Sequence, residues 1–106
     1  VLNAPAAFRF TCPTNPERHL DVVQAMGIDI RDVNSEDAGM IFADCFIDLM
    51  KKTGLPNGLG ALGFSEHDLP TLAEGGYAQK RSLSMSPCPV SEEDLKNLYR
   101  DALQYW

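Results

Sequence analysis

Two runs rich in glycine and proline divide the second half of this chain and restrict it to short helices separated by turns. The first run covers Leu55 to Pro70, and the second covers Pro87 to Leu95. Each contains a Ser-x-x-Asp sequence, Ser65 to Asp68 and Ser91 to Asp94, which is typical of the capping box that opens a helix. The glycines of the first run favour tight turns and close helix contacts. The runs therefore predict helix boundaries rather than a chemical site.

The first half of the chain predicts three helices. The first, Asn3 to Phe10, is interpreted as the tail of a helix, with a start before Val1 left open, and Pro13 and Pro16 stop it. Because proline fits the first turn of a helix, Pro16 also opens the second helix, which runs to Met26 and ends at Gly27. The longest helix is predicted from Ser35, as its N-cap, to Lys52.

The longest predicted helix carries a wide apolar face. Its apolar residues recur at helical spacing, which predicts that more than one neighbouring element covers it. They are Ala38, Ile41, Phe42, Cys45 and Leu49, with Phe46 and Met50 widening the face.

The remaining pattern is helical as well. Two further helices are predicted to start at the capping boxes, and Gly75-Gly76 and the segment from Lys80 to Pro89 predict a loop between them. No internal repeat, heptad run or strand alternation is present. The 106 residues therefore predict one small all-α domain, a bundle of about five helices.

Composition excludes several classes of function. Fifteen acidic and nine basic residues give a net charge of −6, which disfavours nucleic acid and anionic lipid surfaces as partners. No apolar stretch is long enough to span a bilayer. Three cysteines without a C-x-x-C pair predict a reducing compartment, with neither a disulfide framework nor a zinc knuckle. A start at Val1 without signal-peptide features suggests a fragment or a processed product.

Histidines and carboxylates offer weak candidates for chemistry. His19 and His67, the two histidines, lack a second ligand at helical spacing, which favours surface or structural roles over a metal site. Asp44 and Asp48 lie four residues apart on the longest helix, where a solvated face is the favoured interpretation over an acid–base pair. Cys45 is expected to be a buried apolar side chain.

Cys12 and Cys88 lie in turns beside prolines and are interpreted as structural, because no activating base can be assigned to either thiol. Gly54, Gly58, Gly60 and Gly63 do not match a phosphate-binding loop.

The most promising local candidate is the basic, hydroxyl-bearing segment from Gln79 to Ser84. Arg81 has the forked guanidinium that can hold a carboxylate through two hydrogen bonds. From the residues alone, a plain surface loop remains the favoured interpretation.

Five segments, in this order and spacing, resemble the C-terminal helical region of the group III, iron-containing alcohol dehydrogenases. The opening segment and the Pro-Cys-Pro sequence are most similar to the hydroxyacid–oxoacid transhydrogenase branch. The segments are 1–11, 16–20, 36–39, 59–65 and 87–95.

The resemblance implies that residues 1–106 are the distal part of the helical metal-binding domain of a dehydroquinate synthase-like fold. It implies an NAD(P)-linked parent enzyme with iron or zinc, which transfers hydride between an alcohol or hydroxy acid and a carbonyl. The family's metal ligands and nucleotide-binding domain have no counterpart in this sequence. We therefore expect the isolated chain to bind neither metal nor NAD, to lack activity and to self-associate through its exposed apolar surface.

The same resemblance brings Arg81 and Ser82 near the substrate cleft of the parent, Arg81 as a carboxylate clamp and Ser82 as a neighbouring wall residue. It implies a mitochondrial or cytoplasmic location. Two other readings stay open: a free-standing helical interaction module, and an enzyme complete within this chain, which the absence of a convergent catalytic set makes the least favoured.

Overall fold

The computed structural model describes residues 1–106 and is helical, without a β-strand, which confirms the all-α prediction. The chain forms two compact units. Residues 4–55 form the N-terminal unit, and residues 1–3 together with 56–106 form the C-terminal unit. The α-helices are α1 Ala4–Thr11, α2 Pro16–Ala25, α3 Ala38–Lys52, α4 Leu69–Tyr77, α5 Lys80–Leu83 and α6 Glu92–Asp101.

In the N-terminal unit, α3 packs against both α1 and α2. An aromatic cluster joins α1 to α3, because the ring of Phe8 stacks on Phe42 at 4.3 Å and contacts Phe46 at 4.8 Å. Val23 of α2 is fully buried against the same cluster, and Cys45 of α3 packs beside it. The wide apolar face of α3 is thus covered from two sides, as its sequence predicted.

Two details of α3 differ from the sequence prediction. Ser35 does not cap the helix: a 3₁₀ turn, Ser35–Asp37, precedes α3, and no side-chain hydrogen bond caps either start. Leu49 is 47% exposed, whereas its helical spacing predicts a position on the buried face of α3. Because α2 ends at Ala25, Leu49 instead lines a small groove beside Met26 and Ile28.

The C-terminal unit is built on the contact between α4 and α6. Leu69 and Ala73 of α4 are buried, as are Leu95 of α6 and Ala102 immediately after it. Both predicted capping boxes form. At α6, the Ser91 hydroxyl accepts a hydrogen bond from the Asp94 N–H at 3.0 Å, and the Asp94 carboxylate accepts one from the Ser91 N–H at 2.8 Å.

The predicted loop between these helices is partly wrong. Gly75 and Gly76 lie inside α4, which continues to Tyr77, and residues 80–83 form the short helix α5. A Cβ on Gly76 would lie 2.8 Å from the hydroxyl oxygen of Tyr99. The close approach of the Tyr99 side chain from α6 leaves little room for a larger residue at position 76, so glycine fits this position despite its low helix propensity.

The glycine-rich run folds back on the end of α6. The N–H groups of Leu59 and Gly60 donate to the carbonyl oxygens of Ala102 and Leu103, both at 2.8 Å. Gly58 and Gly63 of this run, and Gly54 just before it, have positive φ angles, which confirms that these glycines serve turns and close contacts.

Candidate functional site

Arg81 and Ser82 lie on α5, a single helical turn that follows α4 in the C-terminal unit. Both residues are exposed. The Arg81 carbonyl oxygen accepts a hydrogen bond from the Ser84 hydroxyl at 2.8 Å, while its guanidinium makes no hydrogen bond or ion pair within the chain. The N–H fork of Arg81 is therefore available to an acceptor outside the chain.

The neighbouring cation is held differently. The Nζ atom of Lys80 lies 3.0 Å from the centroid of the Tyr77 ring. This cation–π contact directs Lys80 back onto the end of α4. Of the two adjacent cations, Arg81 is thus the one without a partner, and it is the one with the geometry for a bidentate carboxylate contact.

The histidines have structural surroundings. The Nδ1 atom of His19 lies 2.8 Å from the Asn15 carbonyl oxygen, and the ring meets the Phe42 ring edge-on at 5.4 Å. His67 is exposed in the 3₁₀ turn before α4. No group of three or more His, Cys, Asp or Glu side chains is arranged to hold a metal ion. The residues present therefore do not fit the iron or zinc that the resemblance implies.

Two of the three cysteines are buried apolar side chains. Cys12 and Cys45 are 2% and 6% exposed, and burial raises the pKa of both thiols. The nearby carboxylates of Asp44 and Asp48 raise the pKa of Cys45 further. A raised pKa leaves a thiol protonated and weakly nucleophilic, which supports the structural interpretation of both cysteines.

Asp44 and Asp48 are exposed. Asp44 lies 3.7 Å from the Arg9 guanidinium in an ion pair at the surface. Because both carboxylates are exposed to solvent, the pair lacks the buried environment that acid–base catalysis requires.

The N-terminal unit contains a cavity that the sequence does not predict. A cavity of about 410 Å³ lies between the end of α1 and the start of α3, with Arg9 and Glu36 among its lining residues. Its two walls come from separate segments of the sequence, residues 9–16 and residues 35–40. The cavity is created by the packing of α1 on α3, and no local sequence motif predicts it.

The all-helical arrangement is shared with the carboxyl-terminal region of a solved oxidoreductase. The crystal structure of a 1,3-propanediol oxidoreductase superimposes with a TM-score of 0.85 and 26% sequence identity, over 95% of this chain and 26% of that chain. Residues 1–103 match the model of the C-terminal part of the Fe-containing alcohol dehydrogenase family. The chain belongs to the Fe-containing alcohol dehydrogenase family.

Curated relatives agree with this assignment. A probable mitochondrial hydroxyacid-oxoacid transhydrogenase of Dictyostelium discoideum is 41% identical over 97% of this chain and 19% of its own length. The mitochondrial hydroxyacid-oxoacid transhydrogenase of Homo sapiens is 38% identical over 100% of this chain and 23% of its own length. The chain thus spans about a fifth of the length of these relatives. No helix is long and apolar enough to cross a membrane.

Proposed function

We propose that this chain is the C-terminal helical portion of an NAD(P)-linked hydroxyacid–oxoacid transhydrogenase or alcohol dehydrogenase, acting in mitochondria or cytoplasm. The observation that carries the proposal is the match of the whole chain, at 38–41% identity, to relatives that are named as transhydrogenases. The residues of this chain form no metal site. In the parent enzyme, iron or zinc and NAD(P) are therefore bound by regions outside the part that corresponds to this chain.

The role of the chain in that enzyme is to recognise the acid. Arg81 holds a substrate carboxylate through its guanidinium fork, and Ser82 forms a neighbouring wall of the cleft. The exposure of both side chains and the unpartnered guanidinium support this role. A substrate that lacks a carboxylate gains nothing from Arg81, so this residue discriminates hydroxy acids from plain alcohols.

A chimeric enzyme tests the proposal. The region of the human transhydrogenase that matches this chain is replaced by the 106 residues, and hydride exchange between a hydroxy acid and an oxo acid is measured. We expect a folded enzyme that retains exchange. A chimera with native helix content and bound cofactor, but without exchange on any hydroxy acid, contradicts the proposal. The unmodified human enzyme provides the reference rate.

A further inference from the structure

The cavity between α1 and α3 is formed entirely within the N-terminal unit, and its volume of about 410 Å³ suits a small molecule. The end of α1 and the following turn contribute Arg9 and Cys12, the 3₁₀ turn before α3 contributes Glu36, and the start of α3 contributes Met40. The two helices meet closely beside it, because a Cβ on Gly39 would lie 3.1 Å from the Cβ of Cys12.

The cavity carries one cation and one anion with unused bonding capacity. Arg9 has a single ionic contact, the Asp44 carboxylate at 3.7 Å, and makes no side-chain hydrogen bond. An exposed pair at this distance is weak, and it leaves the guanidinium N–H groups available. The carboxylate of Glu36 makes neither an ion pair nor a hydrogen bond.

The rest of the lining is mostly apolar. Cys12, which is 2% exposed, forms part of the floor, and Pro13, Pro16 and Met40 contribute further apolar surface. The Ser35 hydroxyl, which caps no helix, adds one free hydrogen-bonding group. The cavity is open to solvent on one side, where Arg9 and Glu36 are exposed, and its mostly apolar lining with a few polar groups is the usual construction of a small-molecule site.

We propose that this cavity binds a small zwitterion, with its carboxylate on Arg9, its ammonium group on Glu36 and a short apolar body between them. A singly charged ligand satisfies one of the two side chains and leaves the other unpaired. A dicarboxylate meets the Glu36 charge at its second end. Charge complementarity therefore favours the zwitterion over a singly charged ligand and over a dicarboxylate. This binding does not depend on the proposed transhydrogenase activity.

Titration of the ¹⁵N-labelled chain tests this site, with γ-aminobutyrate, butyrate, butylamine and succinate as probes. The amide signals of Cys12 and Gly39 report on the cavity, and those of Gly76 and Ser91 serve as references in the C-terminal unit. We expect saturable shifts at Cys12 and Gly39, with γ-aminobutyrate binding about two- to five-fold more tightly than each of the other probes, because each exposed ion pair adds little. Equal affinity for all four probes, or no saturable shift, overturns the proposal.

Matched variants separate the two charges. Arg9→Gln is expected to remove the preference for γ-aminobutyrate over butylamine, and Glu36→Gln the preference over butyrate. Arg31→Gln is the control, since it removes an arginine of the same unit, 85% exposed against 41% for Arg9, whose partner, Asp29, lies two residues away and outside the cavity. Unchanged γ-aminobutyrate affinity in a folded Arg9→Gln variant contradicts the proposal.

Chemical protection provides a second measurement. A ligand over Cys12 is expected to slow alkylation of that thiol and to leave the rate at Cys88, which lies in the other unit, unchanged. Equal rates at Cys12 with and without saturating γ-aminobutyrate contradict occupation of the cavity.

Discussion

Gly58 lies directly against Ala102, with no room for a side chain between them. A Cβ on Gly58 would be 2.4 Å from the Ala102 carbonyl oxygen, which is also the acceptor for the Leu59 N–H. Gly58 has a φ of +71°, a conformation that favours glycine. This contact fastens the glycine-rich run to the end of α6.

Replacing Gly58 is therefore expected to destabilise the C-terminal unit. Gly58→Ala combines the cost of a left-handed alanine with a clash against backbone atoms, and we expect it to lower the free energy of unfolding by about 2–5 kcal/mol. Urea unfolding followed by circular dichroism measures the loss. Gly63→Ala is the matched control: its φ is +95° but nothing lies within 4 Å, so about 1–2 kcal/mol is expected. Equal losses in the two variants exclude the clash as the cause.

The capping boxes are expected to make stability depend on pH. Hydrogen bonds from the backbone and side chains of Ser65 and Ser91 lower the pKa of Asp68 and Asp94. A lowered folded-state pKa gives stability that is present above the ordinary Asp range of about 4 and is lost as the pH falls through the folded-state value. The melting temperature should therefore decrease as the pH is lowered from about 4 through the folded-state pKa values of the two carboxyl groups.

The Asp68→Asn, Asp94→Asn double variant should lose less stability on acidification than the parent chain. The control is Glu93→Gln, which removes a carboxylate from the same first turn of α6 outside the box. An acid profile that is identical in the double variant and the parent excludes the boxes as its source.

The thiols are expected to react at different rates. Cys12 and Cys45 are buried and have raised pKa values, so they should remain protonated and react slowly with a disulfide reagent at neutral pH. Cys88, which is only partly buried, should react first. Unfolding in urea should make all three react together. A native chain in which Cys12 reacts as fast as Cys88 contradicts this burial.

Arg81 is expected to act on specificity. In the chimeric enzyme, Arg81→Ala should lower kcat/KM for a hydroxy acid roughly ten- to a hundred-fold, because a charge-assisted contact is worth about 1.5–3 kcal/mol. A neutral alcohol should be nearly unaffected, and Arg81→Lys should recover only part, because an ammonium group lacks the fork. Lys80→Ala serves as the control, since Lys80 is engaged by Tyr77. Equal losses on both substrates would mean that Arg81 makes no specific contact with the acid.

Self-association of the isolated chain is expected through the exposed apolar residues of the N-terminal unit. Val22, Met26, Ile28 and Leu49 are each 40–47% exposed, and an apolar patch of this kind favours association. Light scattering should show concentration-dependent oligomers that Leu49→Lys reduces. Thr71→Lys, which adds the same charge at an exposed site in the other unit, should not reduce them. A monomer at all concentrations contradicts the expectation.

Local chemistry determined most helix boundaries in advance. Proline at Pro16, glycine at Gly27 and the Ser-x-x-Asp boxes act on the backbone within one turn, so their effects can be read from neighbouring residues. The wide face of α3 likewise predicted cover from two sides. The five segments that resemble the iron-containing alcohol dehydrogenases predicted the family that the match over residues 1–103 shows.

Tertiary structure decided what depends on distant partners. Gly76 lies inside α4 and packs against Tyr99 of α6, and Leu49 is exposed because α2 ends before it can cover that part of α3. The sequence contains no signal for either, since helical periodicity states which residues share a face but not where the neighbouring helix stops. The Arg9 cavity has the same origin. Its walls are separate in the sequence, and only the tertiary packing of α1 and the turn after it against the 3₁₀ turn and the start of α3 brings the guanidinium and the Glu36 carboxylate to one cavity.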